Sequence, residues 1–144
     1  MNSRGCLALD VGARKIGIAF GQQVTGTAQA LTSVPMRHGV PDWPALDRLV
    51  REWNPEAFVL GLPRMADGRE GVVARLARRL GAQLAARYDR SVQYANEHLT
   101  SVEAAHRLAA SGASRQRREQ ARDAVAAKLI LEQFFAHDER AAAR

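Results

Sequence analysis

The chain has 144 residues, a mass of 15.8 kDa and a formal net charge of +6, with 47% hydrophobic and 25% charged residues. This composition is typical of one globular domain and excludes an intrinsically disordered chain. The single cysteine, Cys6, excludes an intramolecular disulfide framework. No apolar run reaches the roughly 20 residues that cross a bilayer, and the first residues lack the apolar stretch of a signal peptide. We therefore expect a cytoplasmic protein with no membrane partner.

The basic balance of the chain, with a pI near 10.6, favours a polyanionic partner such as nucleic acid. A GC-rich genome would also produce an excess of arginine and alanine. Charge alone therefore does not decide between a nucleic-acid partner and a compositional bias of the genome.

The first third of the sequence predicts three strands, at 7–11, 15–20 and 25–34. The first two strands carry large apolar residues on one face and small residues on the other, which would let another element approach closely. The short connections between the strands favour an antiparallel meander.

The rest of the sequence alternates between helical and strand patterns. The predicted elements are a helix at 43–53 that ends at Asn54-Pro55, a strand at 57–60, a long helix from Val72 to about Arg87, a short strand at Val92 and Tyr94 that ends at Asn96-Glu97, a helix that begins at 99–103, and a last helix at 116–135. Crossover helices after a meander imply a mixed, five-stranded sheet with helices on both faces, an α/β fold. We expect one domain over residues 1–137 and a flexible C-terminal tail at 138–144.

Three acids stand in unusual surroundings. Asp10 and Glu97 each lie at the carboxyl end of a predicted strand, where ligands gather in open α/β sheets. Asp123 lies on the same helical stripe as Ala127 and Ile130, so it should face the core or a cleft. Each acid also has a simpler interpretation: Asp10 could start a turn, Glu97 could be an exposed loop acid, and Asp123 could be satisfied by a buried arginine or a backbone donor.

Together, the three carboxylates could meet at one edge of the sheet. Converging carboxylates need cations, and an oxygen-only ligand set suits Mg²⁺ or Mn²⁺. Two such ions about 4 Å apart can activate water for phosphodiester cleavage. The scattered histidines and single cysteine provide no zinc-ligand spacing. The Asp10–Gly17 segment also resembles an actin-like phosphate loop, but those folds use two such halves and this chain has room for one.

Basic residues near the same edge could hold phosphates while the acids hold metal. Arginines cluster just before Asp123, although such a run is often only a solvated helix start. The candidate substrate-binding residues are Lys15, Arg64, Arg118 and Arg122.

Four motifs in unbroken order, between about Leu7 and Phe135, closely resemble the YqgF/RuvX family. The motifs are Leu9-Asp10-Val11-Gly12 with Ile16-Gly17-Ile18-Ala19, Leu60-Gly61-Leu62-Pro63 with Asp67-Gly68, Glu97 with Leu99-Thr100-Ser101-Val102-Glu103-Ala104, and Asp123-Ala124-Val125-Ala126-Ala127 with Ile130-Leu131. The resemblance implies an RNase H-like fold, divalent-metal dependence, an acidic site of Asp10, Glu97 and Asp123, and maturation of the 5′ end of 16S rRNA in the cytoplasm. The sequence departs from the family pattern at Asn96 and His98, where the family usually has an acid and an arginine, and in the loop at 64–66.

Three functions follow as hypotheses. The first is a metal-dependent endonuclease that hydrolyses RNA, acting on a ribosomal precursor as a monomer or homodimer. The second is cleavage of branched DNA, which usually needs a two-fold dimer to cut a four-way junction symmetrically. The third is a non-catalytic RNA-binding factor in ribosome assembly, which the altered neighbours of Glu97 keep open.

Overall fold

The computed structural model describes residues 5–63, 67–97 and 115–142, with side chains not described at 97, 115–121 and 138–142. The predicted helix beginning at 99–103 and the loop at 64–66 lie outside the described residues. In chain order, the elements are β1 (Gly5–Val11), β2 (Lys15–Gln22), β3 (Thr27–Arg37), β4 (Val40–Pro41), α1 (Trp43–Trp53), β5 (Ala57–Pro63), α2 (Val72–Tyr88), β6 (Ser91–Glu97) and α3 (Arg115–Ala142).

The strands form one mixed sheet in the order β4-β3-β2-β1-β5-β6. Strands β1 to β4 pair antiparallel, whereas β5 pairs parallel with both β1 and β6. The predicted α/β class, the meander and the parallel half are confirmed.

The sheet has six strands among the described residues, not the five predicted from sequence. The added strand, β4, has only two residues and pairs with Met36 and Arg37 at the end of β3. A two-residue loop turns the chain back, with positive φ angles of 52° at His38 and 77° at Gly39. Such a loop matches the twist of a hairpin. A strand of two residues is too short to show the alternation by which strands are predicted.

The two faces of the sheet bury side chains of different size. Leu7 and Leu9 of β1 point to the face covered by α1 and α2, where the larger core cluster lies. Cys6 and Ala8 point to the opposite face, where they pack against α3. The small residues predicted to admit a closely packed element therefore face the long C-terminal helix.

Both ends of α1 follow from local sequence. Asp42 caps its N-terminus, with the Ala45 amide donating to Oδ1 at 3.2 Å. Asn54 closes the helix in the left-handed conformation, at φ 44° and ψ 59°, and its amide donates to the Val50 carbonyl at 2.8 Å. The predicted end of this helix at Asn54-Pro55 is confirmed.

Several predicted boundaries are displaced, including the ends of β3 and α3. Strand β3 continues to Arg37, and α3 continues to Ala142 instead of ending at Phe135. The residues after Phe135 are mostly polar or alanine, so they favour a helix without adding to its apolar stripe. The single domain at 1–137 and the tail at 138–144 stay predictions. Within the described ranges, no helix is long and apolar enough to cross a membrane.

Candidate nucleic-acid cleavage site

Asp10 lies inside the β1 ladder, not in the turn that follows it. Its register partner on β2 is Gly17. The turn itself is closed by the Gly12 amide, which donates to the Lys15 carbonyl at 2.9 Å. Because side chains alternate along a strand, Asp10 lies on the face of Cys6 and Ala8, which is the face that α3 covers.

Asp123 reaches the same face from α3. Its helix buries Ala127 and Ile130 against the sheet, and the Asp123 side chain is 17% exposed. This confirms the prediction that Asp123 lies on the buried stripe. Gly17 permits the approach, because a Cβ atom there would overlap the Asp123 carbonyl group and lie 3.0 Å from its Cα.

Both acids line one cleft of about 530 Å³ at the end of β1. We call it the carboxylate cleft; its lining consists of Asp10, Val11, Gly12, Ala13, Arg14, Lys15, Pro63, Val73 and Asp123. Sequence reasoning missed Pro63 and Val73 as lining residues. Their positions in the chain could have indicated this role, because Pro63 ends β5 and Val73 lies in the first turn of the helix that follows.

Lys15 forms an ion pair with Asp123 across the cleft. The Lys15 Nζ atom lies 3.0 Å from Asp123 Oδ2, and the lysine side chain is 38% exposed. Oδ2 has no contact with solvent, and Nζ approaches it outside hydrogen-bond geometry, which leaves this oxygen without a hydrogen bond. The simpler interpretation of Asp123, an acid satisfied by a basic group, is thus realised in part, by a lysine and not by the arginine considered.

Glu97 is described only through its backbone. It is the last residue of β6 and lies in register with Pro63, so it occupies the same end of the sheet as the cleft. Among the described side chains, no group of three His, Cys, Asp or Glu residues could hold a metal ion. The meeting of Glu97 with Asp10 and Asp123 stays a prediction.

Of the other predicted substrate-binding residues, only Arg122 has a described side chain. Arg122 is exposed on α3, directly before Asp123. Arg118 belongs to the same helix, but its side chain is not described, and Arg64 lies outside the described residues together with His98. Arg14, which sequence placed near this edge without assigning it a role, lines the cleft and is exposed.

The described donors suit a hard divalent cation. Asp10 and Asp123 offer only carboxylate oxygens to the cleft, and hard cations such as Mg²⁺ and Mn²⁺ prefer such ligands. Asp123 Oδ2 is a buried anionic oxygen without a hydrogen bond, an arrangement that is costly unless positive charge lies beside it. These residues therefore fit a divalent metal, and Lys15 places a positive charge beside Asp123.

Comparisons with known proteins show the family to which the chain belongs. Residues 4–137 match the RuvX family, described as Holliday junction resolvase. A protein from Yersinia enterocolitica named "Putative pre-16S rRNA nuclease" is 41% identical over 141 residues, covering 98% of this chain and 99% of its own. Relatives with the same name in Aeromonas hydrophila and Photorhabdus laumondii are 39% and 41% identical, and each alignment covers 94% of this chain and at least 96% of theirs.

Solved structures share the fold at low sequence identity. RuvC of T. thermophilus, in complex with a Holliday junction substrate, superposes with a TM-score of 0.55 and 15% identity, covering 94% of this chain and 95% of that one. The yeast mitochondrial Holliday junction resolvase Ydc2 gives a TM-score of 0.53 and 12% identity, covering 92% and 78%. The fold is thus the RNase H-like fold of these resolvases, and the extent of the sequence match shows that the chain belongs to the RuvX family of nucleases.

Proposed function

We propose that this protein is a metal-dependent endonuclease that hydrolyses RNA phosphodiester bonds and matures the 5′ end of pre-16S rRNA. One observation carries the proposal: Asp10 and Asp123, from β1 and α3, line a single cleft at the carboxyl end of β1. The names of the relatives supply the substrate class, and the net charge of +6 suits a polyanion.

We infer that Glu97 completes the acidic site. Strand alternation assigns position 97 to the face of Ala95, which packs on the α3 side of the sheet. The strand between β1 and β6 contributes Gly61 in register with Ala95, and Pro63, which lines the cleft, in register with Glu97. Two strand spacings separate β1 from β6 by about 10 Å, a gap that two carboxylates and two ions about 4 Å apart can bridge.

Each described residue then has a chemical task. Asp10 and Asp123 would hold the divalent ions, which when bound activate water and stabilise the leaving oxygen. Lys15 and Arg122 would position phosphate oxygens through charge-assisted hydrogen bonds. Val11 and Val73 add apolar surface to the lining of the cleft.

Cleavage assays with purified variants test this proposal. We expect the wild-type chain to cleave an RNA carrying the precursor 5′ region of 16S rRNA in Mg²⁺ or Mn²⁺. Loss of a residue that only supports a metal ligand lowers activity by about 10- to 100-fold. Because we assign Asp10 as a ligand itself, Asp10→Asn should lower the rate by more than about 100-fold. The control Glu52→Gln, an exposed acid on α1, should leave the rate unchanged. Unchanged cleavage by folded Asp10→Asn would refute the assignment.

Branched DNA is the second candidate substrate, because the family is described as Holliday junction resolvase. A four-way junction in the same assay, with the oligomeric state measured by light scattering, separates the two. Preferred cleavage of the junction by a two-fold dimer would favour the resolvase. RNA binding without hydrolysis by the wild-type chain would instead favour an assembly factor.

A further inference from the structure

The ion pair between Lys15 and Asp123 joins two distant parts of the chain across the carboxylate cleft. Lys15 begins β2, whereas Asp123 lies on α3. The two side chains differ in their access to water: that of Asp123 is 17% exposed, with Oδ2 fully shielded, whereas that of Lys15 is 38% exposed. One partner is therefore fixed in the packed interface, and the other can leave towards solvent.

A shielded carboxylate oxygen needs a positive charge beside it. In this structure, the Lys15 ammonium supplies that charge at 3.0 Å from Oδ2. A divalent ion would satisfy the same oxygen at about 2.0–2.1 Å. The Lys15 ammonium and a divalent ion cannot both lie against Asp123 Oδ2, because two positive charges so close repel each other.

The basic residue beside Asp123 is a lysine, which a metal ion can replace more easily than an arginine. The chain contains nineteen arginines and only two lysines, Lys15 and Lys128. An arginine would grip the carboxylate with a rigid, two-pronged fork, whereas a lysine is a compact, strongly hydrated point charge on a flexible stem. Nζ approaches Oδ2 outside hydrogen-bond geometry, so no hydrogen bond to this oxygen is broken when the lysine moves away.

We propose that Lys15 is the resident counter-ion of Asp123, and that a divalent cation binds at Asp123 by displacing the Lys15 ammonium into the cleft. Lys15 is thus a positioning residue: it keeps the Asp123 carboxylate in place while metal is absent, and it becomes available to a substrate phosphate once metal is bound. The inference rests on the proposed function only in assuming that Asp123 is a metal ligand.

Side-chain NMR of the unmodified chain tests the displacement directly. Selective ¹³C,¹⁵N labelling of lysine gives two side-chain signals, so Lys128 is an internal control. Addition of Mg²⁺ should shift the Lys15 signal saturably and leave that of Lys128 in place. A Lys15 signal that does not move at Mg²⁺ concentrations shown to bind would overturn the proposal and indicate a permanent ion pair.

Calorimetric titration with Mn²⁺ provides the second arm. Lys15→Met should tighten Mn²⁺ binding about tenfold, equivalent to about 1.4 kcal/mol. The control Arg14→Met removes one positive charge from the same cleft lining and should change affinity only about twofold. In an Asp123→Asn background, Lys15→Met should have no effect.

The outcomes separate this inference from the proposed function. Equal effects of Lys15→Met and Arg14→Met would overturn the displacement and leave the metal site standing. No Mn²⁺ binding by the wild-type chain would overturn both the displacement and the metal-dependent mechanism. Thermal melts in EDTA confirm that each variant is folded, and the NMR arm needs no variant at all.

Discussion

Gly17 packs its α-carbon directly against the backbone carbonyl of Asp123. Gly17 is also the register partner of Asp10, so this one residue lies between the two acids of the carboxylate cleft. Its missing side chain sets how closely α3 approaches β2, and thereby how far Asp123 stands from Asp10. A small residue in a strand thus decides the geometry of a site to which it contributes no functional group.

Gly17→Ala is expected to damage the site through packing. The added methyl group would overlap the Asp123 carbonyl, so α3 must shift, at a cost of about 1–3 kcal/mol in the free energy of unfolding. We expect a lower melting temperature and a loss of cleavage larger than the loss of folded protein. Calorimetry and cleavage assays at a temperature where the variant is folded would measure both, and wild-type values for the two would contradict the contact.

Arg122→Ala tests the phosphate contact beside the cleft. Each lost phosphate contact lowers the slope of log K against log salt concentration by about 1. We expect this change for Arg122→Ala with an RNA ligand, but not for Arg48→Ala, an exposed arginine on α1, which covers the other face of the sheet. Fluorescence anisotropy over a salt series measures the slope, and identical slopes for the two variants would remove Arg122 from the interface.

Asp47 provides a pH-dependent link between α1 and α2. Arg87 donates two hydrogen bonds to its carboxylate, at 2.8 and 3.0 Å, and the Tyr88 hydroxyl donates a third at 2.6 Å. Arg87 first, then Tyr88, lowers the pKa of Asp47 from 3.8 to about 2. Because the folded-state pKa is the lower one, the stabilisation is full above the unfolded value of 3.8 and is lost as the pH falls through about 2.

The measurement for Asp47 is urea unfolding of the wild type and Asp47→Asn as a function of pH. We expect a constant difference in the free energy of unfolding near neutral pH, because Asp47 is ionised there in both folded and unfolded chains. The difference should shrink below about pH 4 and approach its minimum near pH 2. A difference that does not change with pH would show that the carboxylate charge is unimportant for this link.

Replacement of Asp89 by glycine is expected to stabilise the protein. It ends α2 in the left-handed conformation, at φ 54° and ψ 52°, where glycine has no steric cost and an acid opposes the helix dipole. Asp89→Gly should raise the free energy of unfolding by about 0.5–1 kcal/mol, whereas Asp89→Ala should lower it. Thermal melts of the two variants side by side would show opposite shifts, and equal shifts would contradict the conformational argument.

Sequence periodicity was enough to predict the α/β class, the meander and the face on which each acid of β1 and α3 lies. Alternation in β1 separates Leu7 and Leu9 from Ala8 and Asp10, and helical spacing places Asp123 with Ala127. These patterns are local, since each depends only on the repeat of one element. For that reason the faces that these patterns predict are the faces found in the folded protein.

The tertiary structure alone decided which elements meet. It paired Lys15 with Asp123, closed the cleft with Pro63 and Val73, and added the two-residue strand β4. A periodic pattern shows which face of an element is buried but not what covers it, and the approach of α3 to β2 depends on the packing of both surfaces together. The chemistry of Asp123 was therefore visible in the sequence, whereas its counter-ion became visible only when the helix lay on the sheet.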